Sequence, residues 1–588
     1  MNLKMPRHRL TSSLFAELCS GPATGPLMKD LRVTQLSHRK LLLASLAEAA
    51  VNDASAEGLA SSFEKAWDVL AAAERSDASV VEELLLHPSV GVWLARALRA
   101  AAAGRLCRAD VGYLSSMAVA AAVRCRISCA LEIPVVHGAV TLPTVGQVVL
   151  VEDSTVDAVE VAVSAAGEVA LRGGAGHPQA GRPWSNDAFR LEPVKVLECR
   201  WDGVRLRTEL DDRGPYREFT DPIPPRPLGL REQGEWEKQI GDAWSLLVEE
   251  YRGFAEELSE GVSAIVPFGA GTSVAGASSS VAYGAIAVSR KKSAFELAEA
   301  LIHEMQHSKL NALFDFAELC VPGTENLGYA PWRDDPRPTG GLLHGVFAFT
   351  TAVEFWRRRR DTDGPARRAA DFHYGYRRWQ VRQTLESLAG AADLTDLGRR
   401  FVELVSERLD LVEHDDVSGT VLDAIGKMTR EHRAFWRAQH LRPDPSWVTG
   451  LAEAWAAGDV AATRPQPLPE VVPCQRSIPP SPRVGMLKAL LLDGADPAEH
   501  GGASSADLAY VRGDLDAAHG SYEEQVRSNP ADDRAWLAFG LAGVGGEGGN
   551  AVVRSPETVL AVRDRLLTGG VPIDQPLKLV TWLDSALR

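Results

Sequence analysis

The residues of this chain whose types and spacing point most directly to chemistry are His303-Glu304-Met305-Gln306-His307. On an α-helix, positions i and i+4 share one face, one turn apart, so both imidazoles reach a single ion at about 2 Å. Glu304, beside the first histidine, sits where a carboxylate handles a proton on metal-bound water. The chain holds 14 histidines, and chance would produce such a motif in roughly 1 case in 50, which makes it a good signal for a metal site. The competing reading is an ordinary helix with two partly buried histidines.

Two histidines need a third ligand. The extended metzincin pattern would put Gly and His at the positions of Leu310 and Leu313, so that class is excluded. The candidates lie downstream in GGLLHGVFAFTTAVEFWRRRR, where apolar residues at helical spacing suggest a second helix. His344 and Glu354 are ten residues apart, about 80° around a helix axis, so only one of them is expected at the metal. Glu354 would complete the two-His, one-Glu set of a thermolysin-type zinc peptidase, whereas His344 would give three neutral ligands. Between the two helices runs Tyr329-Ala-Pro-Trp-Arg333-Asp-Asp-Pro-Arg337-Pro. Arginine suits bidentate carboxylate binding, so Arg333 and Arg337 are candidate anion-binding residues. The alternative is local ion pairing with Asp334 or Asp335.

Ser293 and Glu296 form a Ser-x-x-Glu pattern ahead of an apolar-periodic run, which marks the start of the helix that must carry the two histidines. Before it, Ser280–Ser289 reads as a strand, with Gly284 inside, that could offer an edge to an extended peptide or be a paired core strand. The fold class expected is mainly α and multidomain. Residues 1–132 read as a helical N-terminal domain and 133–230 as a small antiparallel β module, with Asp202-Gly203 as a hairpin turn. Residues 231–462 read as a helical catalytic domain of gluzincin-like character. A proline-rich linker follows over 463–485. Residues 486–588 read as a helical appendage, with Gly513, Ala518, Tyr522, Pro530 and Trp536 at tetratricopeptide-like offsets.

The formal net charge of −15 disfavours nucleic acid as a partner. Seven scattered cysteines look like reduced thiols. The opening MNLKMPRHRL has no apolar signal core behind it, and no stretch is long and apolar enough to span a bilayer. A cytoplasmic protein without a membrane partner is expected. The oligomeric state is not legible.

Several of these pieces, standing in order, resemble the HExxH-motif peptide-modification proteins of ribosomal-peptide gene clusters, which are 2-oxoglutarate-dependent peptide β-hydroxylases. The pieces are LFAELCSGPATGPLMKDLRVTQLSHRKLLLASL, LAEALIHEMQHSKLNALFDF, YAPWRDDPRPTGGLLHGVFAF, FWRRRR and RRWQVRQTLESL. They cover most of residues 10–460. The histidine motif is specific to metal sites generally, and PWRxDPRP followed by LLHG is what points to the family. The resemblance implies Fe(II) held by His303, His307 and His344, with 2-oxoglutarate and O2 as co-substrates and Arg337 or Arg333 on the distal carboxylate. Arg378 and Arg382 are further candidates for that cation. The substrate implied is a ribosomally made precursor peptide, hydroxylated at a β-carbon. The usual oxygenase triad has two His and one carboxylate, so a third His departs from it, and Glu354 would restore the usual set. Glu304 then orients a ligand or water rather than acting as a base. Arg357–Arg360 could attract an acidic leader peptide or simply end a helix. Two other classes stay open: a gluzincin-type zinc metallopeptidase using Zn(II), Glu304 and Glu354, and a non-catalytic scaffold that needs neither.

Overall fold

The computed structural model describes residues 8–52, 59–150, 157–173, 189–269, 276–315, 317–324, 326–412, 416–461, 465–543 and 550–587. The chain is mostly helical with small sheets, and it divides into two compact units, Met1–Ala317 and Glu318–Arg588.

The first unit opens with helices α1 (Ser12–Ser20), α2 (Gly25–Asn52), α3 (Leu59–Ser76), α4 (Ala78–Leu86), α5 (Pro88–Ala102) and α6 (Arg108–Cys125). Strands β1 (Cys129–Pro134), β2 (Ala139–Leu142), β3 (Gly146–Leu150), β4 (Ala158–Val163), β5 (Val169–Gly173), β6 (Phe189–Pro193), β7 (Lys195–Trp201) and β8 (Val204–Leu210) follow. They form two antiparallel three-stranded sheets, β1-β4-β5 and β2-β3-β6, and the β7–β8 hairpin. That hairpin turns at Asp202 and Gly203, with φ of 38° and 79°. Two successive positive φ values match the twist of the flanking strands, and this is why Asp-Gly marks such turns.

Next come α7 (Leu230–Glu250), α8 (Arg252–Gly261), β9 (Ala264–Pro267), β10 (Gly276–Ala277), β11 (Ala285–Val288) and α9 (Ala294–Phe314). Strands β9, β10 and β11 join the hairpin in a five-stranded sheet of order β10-β11-β9-β8-β7. The β8–β9 and β9–β11 pairs are parallel. This corrects one expectation and decides between two readings of another segment. The β module does not close at residue 230, because its last hairpin is extended by strands from the following region. Nor is Ser280–Ser289 a free edge: β11 lies between β10 and β9, all four of its residues buried, and β10 is the edge strand. The N-terminal helices are not a separate domain either. Leu114, Met117 and Ala121 of α6 share one hydrophobic core with Leu131, Val159 and Leu171 of the sheets and with Ala264 and Ala285. One continuous apolar core favours one cooperative unit.

The second unit contains β12 (Leu327–Gly328), β13 (Arg337–Pro338), α10 (Thr339–Arg359), α11 (Gly364–Ala389), α12 (Asp396–Asp410), α13 (Gly419–His440), β14 (Leu441–Arg442), α14 (Pro445–Ala456) and β15 (Glu470–Val471). Helices α15 (Pro482–Lys488), α16 (Ser505–Arg512), α17 (Leu515–Ser528), α18 (Asp533–Ala542), α19 (Ala551–Arg554), α20 (Pro556–Thr568) and α21 (Pro576–Ala586) complete it. The proline-rich segment is not a free spacer. Its β15 pairs with β14, and Val472 and Gln475 donate backbone N–H groups to His440 and Gln439. The C-terminal helices are not an appendage, since buried ion pairs tie them to α13: Arg483 to Glu431 at 2.9 Å, and Arg437 to Glu557 at 2.5 Å. Stripping water from such pairs is worthwhile only when both partners stay in place, which binds the segments together. The expected region 231–462 is therefore divided between Ala317 and Glu318 and extended to the C-terminus. No helix among the described residues is long and apolar enough to cross a membrane.

Candidate metal centre

Helix α9 begins where the sequence places it. Ser293 accepts from the Glu296 N–H at 3.2 Å, while Glu296 reaches back one residue further than the usual box, to the Lys292 N–H. The helix buries most of its surface, including Leu297, Leu301, Met305 and Leu313. His303 and His307 are half-buried on one stripe. Their Nε2 atoms stand 3.2 Å apart, with ring planes at 88°. Two nitrogens at that spacing, each about 2.1 Å from a shared ion, subtend about 100° at it, close to what tetrahedral and octahedral ions accept. The pair therefore fits a metal, and without one the same contact serves as a ring N–H to N hydrogen bond.

Glu304 is buried against the sheet edge. It accepts a hydrogen bond from Ser278 Oγ at 2.9 Å. Burial pushes its carboxyl up to about 7, against the opposing pull of Ser278 and of the Lys291 charge. Gly276 makes this position possible, because a Cβ there would lie 2.7 Å from Glu304 Oε1. Ser278 and Gly276 carry no motif in the sequence.

About 140° around the helix from the two histidines is Lys309. Its ammonium pairs with Glu257 of α8 at 2.8 Å, both side chains 0% exposed, and donates to the Gly21 carbonyl at 2.9 Å. Gln306 donates to the second Glu257 oxygen at 2.6 Å, and the Ala23 N–H donates to the first. A buried carboxylate with three donors pins the back of the metal-binding helix to α8 and to the segment before α2. Sequence reading missed this pin; its one signal was a lysine set among apolar helix positions.

In the second unit, the loop between β12 and α10 is held by its aromatic residues. Trp332 lies on Gly345, where a Cβ would come 1.9 Å from the ring, and packs against Phe349 with ring centroids 5.1 Å apart. The Tyr329 hydroxyl meets His432 Nδ1 at 2.8 Å, and Gln380 donates to the Pro331 carbonyl at 2.7 Å. His432, which reads as a residue without motif context, thus anchors this loop. Arg333 and Arg337 both donate to Asp335, at 2.7 and 3.2 Å. All three side chains are well exposed, so these pairs exchange readily with water or another carboxylate. His344 follows in the second turn of α10. Burial, with the nearby Arg337 charge adding to it, lowers its pKa to about 4. It is therefore neutral at physiological pH, the form a metal ligand requires.

Glu354 is otherwise engaged. Arg408 forks onto both of its oxygens at 2.7 Å, and the guanidinium is 2% exposed. Releasing Glu354 to a metal would strand a buried arginine. The other cations are also committed. Arg378 stacks on Tyr374, Arg382 pairs with Asp410, and Arg360 is buried against Asp371, which removes it from any exposed basic run. Among the described residues, no group of three or more His, Cys, Asp or Glu side chains is gathered for a metal ion. Within the first unit the structure brings together the His303–His307 pair with Glu304 beside it, and within the second it brings His344 near Arg337. No protein-family model matches the chain, and no curated protein sequence matches it.

Proposed function

We propose that this chain is an Fe(II)- and 2-oxoglutarate-dependent dioxygenase that hydroxylates the β-carbon of a residue in a ribosomally synthesised precursor peptide. The observation that carries the reading is the His303–His307 pair, its Nε2 atoms 3.2 Å apart on a helix pinned from behind. The resemblance supplies His344 as the third ligand, and its neutral state is compatible with that role. Bound iron with 2-oxoglutarate and O2 supplies the oxidising chemistry for hydroxylation. The protein's part is to hold and orient. His303 and His307 present neutral nitrogens. Glu304, kept close to its sheet edge by Ser278, hydrogen-bonds a ligand or water from a fixed position. Arg337, held by an exposed and exchangeable pair, takes the distal carboxylate of 2-oxoglutarate, with Arg333 beside it.

A zinc peptidase is the second reading. It is favoured by the buried Glu304, whose carboxyl near neutrality suits proton transfer, and opposed by the Arg408 fork on Glu354. Anaerobic loading with Fe(II) and then 2-oxoglutarate separates the two. A visible charge-transfer band that decays on adding O2 is the expected result. Tight zinc binding with peptide cleavage and no such band overturns the proposal.

A further inference from the structure

The five-stranded sheet of the first unit has two edges of unequal length, two residues in β10 and seven in β7. The register shows which backbone groups of β7 are engaged. Trp201 and Val204 close the hairpin turn, and Glu209, opposite Val196, turns its N–H away from β7 to the Ser263 carbonyl at 2.8 Å. Bonded and non-bonded pairs alternate along an antiparallel ladder. Lys195, Leu197, Cys199 and Trp201 therefore bond to β8, and Val196, Glu198 and Arg200 direct their N–H and C=O groups outward. Among the described residues, none of these outward groups has a backbone partner. We infer that the β7 edge is a docking site for an extended peptide segment that alternates apolar and acidic residues, added as one more strand.

The two faces of β7 set what such a strand carries. Lys195 pairs with Glu237 of α7 at 3.1 Å, so the face it shares with Leu197, Cys199 and Trp201 is turned to that helix. Between strand and helix lies a groove of about 250 Å³, bordered by Leu197, Trp201 and Trp244. Trp201 is 46% exposed there. Gly241 leaves the helix side open, because a Cβ at that position would meet nothing within 4 Å. This groove takes an apolar side chain of the added strand.

On the opposite face, Glu198 and Arg200 stand beside Arg207 and Arg205 of β8. Three guanidiniums share the one carboxylate, Arg205 at 2.5 Å and Arg200 and Arg207 at 3.6 Å, and all four side chains are exposed. A separation of 3.6 Å is too long for a hydrogen bond, so Arg200 and Arg207 keep donors for a partner's carboxylates. Of the other charges nearby, Lys195 is matched by Glu237 and Glu209 by His87, while Asp202 and Glu256 share Arg252. The cavity beside Arg207 adds Arg32 and Glu260, one of each sign, and the Arg124–Glu83 pair. The face around Glu198 is therefore cationic, in a chain of net charge −15. Two copies of β7 paired about a two-fold axis would bring two such clusters together. Like charges facing each other across strands are destabilising, which favours an acidic partner over a second copy.

Fluorescence anisotropy of a dye-labelled peptide Glu-Val-Glu-Val-Glu, titrated with the full chain in EDTA, tests the docking. The companion probes are the Lys-Val-Lys-Val-Lys peptide and two forms of the Glu peptide N-methylated at alternate residues, one in each phase. The Glu peptide is expected to bind and the Lys peptide to fail. One of the two N-methylated forms should lose about tenfold or more in affinity, as should Arg200→Gln with Arg207→Gln. Glu198→Pro gives a test of sign. It removes an outward N–H, not a bond to β8, and it also removes the one acid of the cluster. Charge alone would strengthen binding in that variant, whereas strand addition weakens it. The N-methylated probes act on the unaltered chain and decide the matter should a variant fold poorly. The inference is overturned when the Glu peptide does not bind, when the Lys peptide binds as well, when both N-methylated forms bind like the parent, or when Glu198→Pro binds more tightly. Dimerisation of the chain that Glu198→Pro abolishes would assign the edge to a second copy and overturn it too. None of these residues belongs to the α9 site, so either reading can fail without the other.

Discussion

Helices α9 and α10 are both 21 residues long, and both carry a histidine singled out by sequence; both also have a buried ion pair, Lys309–Glu257 on α9 and Glu354–Arg408 on α10, but the segments next to their histidines differ. Helix α9 is fastened by charge: Lys309 and Glu257 meet with no solvent exposure, and Gln306 completes the carboxylate's partners. Helix α10 carries its histidine beside packing and exposed ion pairs: Trp332 lies on Gly345, and Arg333 and Arg337 share Asp335 in water. A buried pair is strong only while complete, whereas an exposed pair contributes little and exchanges readily. The first arrangement suits a rigid ligand platform, and the second a loop that trades one carboxylate for another.

The largest test of this contrast is loss of the platform's chemistry. His303→Ala and His307→Ala should each abolish stoichiometric metal binding while leaving the fold intact, as read by metal analysis and circular dichroism. Full metal retention in both would end the assignment of α9 as a metal helix. Next, Lys309→Met should destabilise the first unit by about 3–5 kcal/mol in denaturant titration, because Glu257 is left charged and buried. Adding Glu257→Leu should recover part of that loss, and no recovery would mean that packing rather than charge fastens α9.

Gly345→Val should be costlier than an ordinary helix substitution. Its side chain meets the Trp332 ring, so a loss of about 1–3 kcal/mol is expected from overpacking. Trp332 fluorescence should shift in the same variant, and an unchanged spectrum would argue that the loop is held elsewhere. Arg337→Ala sharpens the other side of the comparison. Stability should change by less than about 1 kcal/mol, while the 2-oxoglutarate requirement rises about tenfold or more. Unchanged dependence would move that role to Arg333 or to another cation.

The smallest effect expected is one of pH. Burial pushes Asp211 up to about 6, with the Glu209 charge adding to the shift. The folded state therefore holds this proton more tightly than the unfolded chain, so the contribution of Asp211 to stability is fully present below about 4 and is lost as pH rises through about 6. Asp211→Asn, which keeps an acceptor for the Gly214 N–H, should flatten that slope. A slope that persists unchanged would assign it to Glu304, pushed up to about 7 by burial, or to His87, whose pKa its contact with Glu209 raises against the effect of burial.

Legibility in the sequence followed the range of the interactions. The start of α9 at Ser293, the shared face of His303 and His307, and the Asp202-Gly203 turn all rest on contacts within a few residues, and each was readable from spacing alone. Gly513, Ala518, Tyr522 and Trp536 likewise end or bury helices at their expected offsets. The candidate site was legible only in its local half. That Glu354 is held by Arg408, that Glu304 rests against Gly276 and Ser278, and that Glu257 closes on Lys309 all depend on partners 26 to 54 residues away. The domain boundaries failed for the same reason. Composition shifts at 133 and 230 are real, but β9 pairs with a hairpin that lies before residue 230, β11 adds on to β9, and one core runs across residue 133. A sequence alone determined which residues stand on one face and where helices begin, because backbone hydrogen bonding sets those within a turn. Tertiary structure decided which charges are buried together, because desolvation depends on every element that closes over a group and not on its neighbours in the chain.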